Sequence, residues 1–153
     1  MRVPPLVNYW MPAIGWMVLI FLGSTDALSM EHTSRFIVPF LHWLDPEMSA
    51  AMIETIHATI RKLGHVTEYA ILAALVWRAV RGVNWKIKVS ALFISVWLFC
   101  GIFAAGDEFH QSFFPSRTAS ARDVMIDICG AFVGLAICLM FAMRRRTTEA
   151  STR

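Results

Sequence analysis

A chain of 153 residues that is 57% hydrophobic and only 16% charged, with a mean hydropathy of +0.55, is too apolar for a soluble domain, where about a quarter of residues are charged. The length leaves room for one domain and no appended soluble module, so any chemistry must sit within helices or short loops. A net charge of +3 and a pI near 9.0 raise nucleic acid as a partner, but the basic residues lie at the ends of apolar runs, where bilayer topology accounts for them, and nucleic-acid binding is set aside.

Four stretches approach the length of about 20 apolar residues that a spanning helix requires, at 9–28, 60–80, 88–105 and 124–143. The first is read as a mature helix rather than a signal peptide. Arg2 alone makes a thin basic region, Pro12 interrupts its start, and no small-x-small cleavage pattern follows. Ser24, Thr25 and Asp26 finish it. Residues 29–59 are too polar to span and too apolar for a free loop. Phe36, Ile37, Phe40, Leu41, Trp43 and Leu44 predict a short helix lying in the interface, broken at Pro39, ended before Pro46 and capping the other helices. From Glu47 onward Met52, Ile53, Ile56, Ile60 and Leu63 recur at helical spacing, so the second span is expected to begin as an amphipathic helix above the membrane.

The second span carries Arg61, Lys62, His65, Glu68 and Tyr69, with His65 three or four residues from each of the others on a broad shared face. That face cannot point at lipid: an ionisable group such as Glu68 in an apolar stretch costs roughly 2.5–3.5 kcal/mol unless it meets a partner or a wet cavity. The third span ends in Asp107, Glu108, His110 and Gln111, and a loop through Pro115, Ser116 and Arg117 leads to Arg122, Asp123 and Asp127. Asp107 and Gln111 are four apart, as are Asp123 and Asp127, so each pair projects from one helical face. In the fourth span, Gly130 and Gly134 follow Asp127 at small-xxx-small spacing, which lets helix backbones approach closely and presses the carboxylate against a neighbour. The buried Asp127 requires a donor, with Arg117, Arg61, Lys62 and His65 as candidates.

Orientation follows from the cations. Arg78, Arg81, Lys86 and Lys88 between the second and third spans, and Arg144, Arg145 and Arg146 after the fourth, belong in the cytoplasm. Both termini are then cytoplasmic and the polar ends of the spans face outward. Residues 1–146 form one transmembrane domain and 147–153 a frayed polar tail. Cys100, Cys129 and Cys138 lie in apolar runs without ligand-like spacing and read as small hydrophobic side chains. His32 and His42 sit in the interfacial segment and His57 at the exposed start of the second helix. The six Trp residues mostly mark membrane interfaces and the Met residues are core filler. His110 beside Asp107 and Glu108 has no HExxH-like template, so neither a metal nor another cofactor is expected.

Arg61-Lys62-Leu-Gly-His65-Val-Thr-Glu68-Tyr69, Asp107-Glu108-Phe-His110-Gln111 through Pro115-Ser-Arg117, and Asp123 to Asp127 with Gly130 and Gly134 resemble the signature blocks of the VanZ-like membrane proteins. The resemblance runs from about Leu19 to Phe141, including Ser24-Thr25. One departure is Ser116, where that pattern usually has Gly. The resemblance implies an all-α integral membrane four-helix bundle. It also implies a link to glycopeptide resistance, since the family is named for a protein associated with resistance to teicoplanin.

The expected site is therefore extracytoplasmic, with His65, Glu68, Asp107, Glu108, Gln111, Asp123 and Asp127 as acid, base and supporting groups and Arg61, Lys62, Tyr69 and Arg117 as binding groups. Its partners would be membrane lipid and a lipid-linked anionic ligand, with phosphoester hydrolysis the favoured chemistry. No serine, cysteine or phosphatase signature accompanies these residues. A non-catalytic envelope-ligand binder, or polar residues acting as interhelical glue, stand as alternatives. A transporter subunit fits less well, because the inner halves of the spans lack polar residues.

Overall fold

The computed structural model describes residues 5–25, 30–114 and 119–151. These form five helices, α1 (Pro5–Gly23), α2 (Met30–Leu44), α3 (Ala50–Val83), α4 (Val89–Gln111) and α5 (Ala121–Ser151), with no strand among the described residues. Three of them, over Leu6–Gly23, Val89–Gln111 and Ala121–Arg144, are long and apolar enough to cross a membrane. Their outward faces carry large apolar side chains such as Leu19, Ile102 and Phe141, all more than half exposed, as suits an acyl-chain solvent.

The first helix ends five residues before its expected end at residue 28. The reason is local: after Gly23, the Ser24 N–H returns to the Ile20 carbonyl at 2.9 Å and the Thr25 hydroxyl to the Leu22 carbonyl at 2.6 Å. These turns close the helix and present the Ser24 side chain at its end. Asp26 lies outside the described residues.

Nor does Pro39 break α2, which runs unbroken from Met30 to Leu44 and stops before Pro46 as expected. A proline inside a helix removes its own N–H, and on an exposed helix the carbonyl one turn back can find another donor. Phe36, Phe40 and Trp43 on α2 are exposed and Leu41 is buried.

At the centre lies α3, 34 residues long, which packs against α1, α2, α4 and α5. The Ser49 side chain caps it, accepting from the Met52 N–H at 3.3 Å. Its first turns meet α2 through His57. Expected to be exposed, His57 is 3% exposed, with Nε2 at 2.9 Å from the Thr33 hydroxyl and Nδ1 at 3.3 Å from that of Ser34. The reversal has a simple cause: α2 folds back over the start of α3 and shields it.

The seam between α3 and α5 is set by glycine. A Cβ placed on Gly130 would stand 2.8 Å from Val66 Cα, and one on Gly134 would stand 2.8 Å from Ala70 Cα. Only a bare backbone allows that approach, as the small-xxx-small spacing implied. The core beneath it is built from Leu72 and Val76 of α3, Leu92, Val96 and Cys100 of α4, and Leu135 of α5. Three of the six Trp residues are buried or hydrogen-bonded across a helix seam. Trp77 is buried, the Trp16 indole donates to the Glu68 carbonyl at 2.9 Å, and that of Trp97 to the Ile128 carbonyl at 3.2 Å. Indoles at those positions tie α1 to α3 and α4 to α5 because each finds a neighbouring carbonyl within reach.

Candidate functional site

Four of the expected polar residues, with Ser24, form two hydrogen-bonded groups beside a cavity. In the first, His65 Nδ1 of α3 lies 3.0 Å from Asp127 Oδ1 of α5, and Asp127 is 1% exposed. Of the four donors considered for Asp127, His65 is the one that meets it. With an ionised carboxylate opposite, Nδ1 carries the proton and donates, which fixes the ring and leaves Nε2 without a protein hydrogen bond among the described residues.

In the second group, Ser24 at the end of α1 and Gln111 at the end of α4 converge on Asp107. Ser24 Oγ lies 2.6 Å from Asp107 Oδ2 and 3.0 Å from the Ile20 carbonyl, and its single proton goes to the closer acceptor. The Gln111 amide donates to Asp107 Oδ2 at 3.1 Å and to Ser24 Oγ at 3.3 Å. All three residues are buried. The four-residue spacing of Asp107 and Gln111 therefore does what the helical repeat implied. Nearby, Glu108 is buried and accepts from the Ser120 backbone N–H, tying α4 to the segment that leads into α5.

Members of both groups, Ser24, Gln111 and His65, line a cavity of about 120 Å³ together with Gly23, Arg61, Gly64 and Glu68. A second of about 90 Å³ is lined by Ala58, Arg61, Lys62, His65 and Asp123. Arg61 and His65 line both, and neither Arg61 nor Lys62 forms an ion pair among the described residues. Arg61 and Lys62 line the open space, while Asp107, Glu108 and Asp127 are buried and bound to protein donors. Glu68 and Asp123 are the carboxylates in the lining.

Tyr69 is fully buried and lines neither cavity, its ring 6.3 Å from that of Phe103, centre to centre. Asp107 Oδ1, Glu108 Oε2 and the Tyr69 hydroxyl are buried with no hydrogen-bond partner among the described residues. Arg117 and Ser116 lie outside the described residues. His110 stacks on Phe21, ring centres 3.8 Å apart. No group of three His, Cys, Asp or Glu side chains could hold a metal ion among the described residues.

Sequence reasoning passed over Ser24. Its signal was the hydroxyl pair Ser24-Thr25 at the end of an apolar helix, where hydroxyls ordinarily satisfy the last carbonyls.

No curated protein and no solved structure matches the chain. A family model described as VanZ/LLP1 matches residues 9–142, a span that takes in both hydrogen-bonded groups and both cavities, and the chain belongs to that family.

Proposed function

We propose that this membrane protein acts on an anionic envelope lipid or lipid-linked cell-wall intermediate, hydrolysing a phosphoester at the cavity between α1, α3 and α4. The observation that carries the reading is that Arg61 and His65 line both cavities while the buried carboxylates around them are engaged by protein donors. Arg61 and Lys62 offer charge to a phosphate, and the Asp127-held imidazole of His65 supplies a proton to a leaving oxygen or takes one from water near neutral pH. A small cavity suits a headgroup whose lipid tail stays in the bilayer. Family membership fits a role in resistance to envelope-directed antibiotics.

In this reading α3 is a fourth span whose polar face is covered by α1, α4 and α5, and α2 lies in the interface. Buried polar groups are tolerated in lipid when they face neighbouring helices or a wet cavity. An even number of spans leaves both termini in the cytoplasm of the plasma membrane, with the cavities on the outer side. Cysteine labelling tests this: Lys86→Cys should react only with reagent from the cytoplasm and Ser112→Cys only from outside. Gly82 is a poorer probe site, because a Cβ there would strike the Tyr9 ring.

The activity test is phosphate release from a polyprenyl phosphate by purified protein in detergent. Release is expected, and Arg61→Ala should raise KM at least tenfold with a smaller change in kcat. Tight binding of the lipid without release, lost in Arg61→Ala, would replace hydrolysis with binding as the function.

A further inference from the structure

Resting on the hydrolytic reading, we propose that Ser24 is the activated nucleophile of the cavity, with Asp107 as its proton acceptor, so that a phosphate ester is cleaved through a phosphoserine. Ser24 alone among the residues lining the 120 Å³ cavity carries a hydroxyl. A seryl group serving only to close a helix would be satisfied by the carbonyl four residues back, and Ile20 offers one at 3.0 Å. Here the hydroxyl instead meets a buried carboxylate at 2.6 Å, and the Gln111 amide holds both oxygens in place. The other oxygen of Asp107 is buried without a partner among the described residues. Few donors thus compete for this carboxylate, which favours its taking the seryl proton.

The arrangement has the parts of an activated nucleophile: a hydroxyl within hydrogen-bond reach of a base, and a third group orienting that base. Arg61 and His65 line the same cavity and are placed to receive the phosphoryl oxygens and the leaving group. In the first step a lone pair of Ser24 Oγ forms a bond to phosphorus and the seryl proton passes to Asp107 Oδ2. The bond from phosphorus to the leaving oxygen breaks with its electron pair, and that oxygen takes a proton from Nε2 of the imidazolium form of His65. In the second step water attacks the phosphoserine, giving a proton to His65. The Ser24 oxygen leaves phosphorus and recovers its proton from Asp107. The sum is one ester and one water converted to an alcohol and phosphate, with all three residues restored.

The test treats full-length protein in detergent with a biotinylated fluorophosphonate, maps adducts by peptide mass spectrometry, and measures phosphate release from polyprenyl phosphate in parallel. An adduct at Ser24 is expected, formed at least tenfold more slowly in Asp107→Asn and absent in Ser24→Ala. Phosphate release without an adduct at Ser24, or release retained in Ser24→Ala, overturns the nucleophile and leaves the hydrolytic reading intact. An adduct at Ser24 without phosphate release supports the nucleophile and overturns the phosphoester substrate. Neither adduct nor release overturns both. Labelling of the wild type needs no variant to fold.

Discussion

At one end of the helices Asp107, Gln111 and Asp127 are buried and each is hydrogen-bonded across a helix seam; at the other, Arg78 and Lys86 are exposed. The Arg78 guanidinium lies 5.4 Å from the centre of the Tyr9 ring and the Lys86 ammonium 5.6 Å from that of Trp85. Charges at the basic end keep their water, so little free energy depends on any one of them. At the polar end Asp107 and Asp127 have given up water, and their hydrogen-bond partners are what make that burial tolerable. The same residue types are therefore solvated at one end and buried against partners at the other.

That contrast can be broken by substitution, with thermal unfolding in detergent as the readout. Asp127→Ala should have the largest effect, about 3–5 kcal/mol, because it leaves His65 facing an unfilled space without its partner. Gly134→Ala should cost about 1–3 kcal/mol by forcing a methyl group against the Ala70 backbone. Gln111→Ala removes two neutral-donor hydrogen bonds and should cost about 1–2 kcal/mol. At the basic end Lys86→Ala should stay within about 0.5 kcal/mol of wild type and leave phosphate release unchanged. Equal losses at both ends would erase the distinction.

Much of this was legible in the sequence because bilayers impose simple rules. Length and apolarity mark α1, α4 and α5, and helical spacing anticipates the Asp107–Gln111 pair and the glycine seam beside Asp127. What could not be read was which helix faces meet. His57 looks exposed until α2 folds over it, and Tyr69 shares a helical face with His65 yet turns into the apolar core against Phe103. Ser24 was legible as the end of the first span but not as a partner of Asp107, for the same reason: that relation spans 83 positions of the chain. Prolines misled in a different way, since Pro39 suggests a break that a one-turn loss of hydrogen bonding does not enforce.

The most direct test of the polar end as a reactive site compares phosphate release and thermal unfolding in the same preparations of wild type and His65→Gln. Glutamine can keep a hydrogen bond to Asp127 but cannot cycle a proton near neutral pH. A loss of at least 100-fold in rate with an unfolding midpoint within a few degrees of wild type is expected. A rate that falls only in proportion to stability, or that survives the substitution, would instead make these residues interhelical glue.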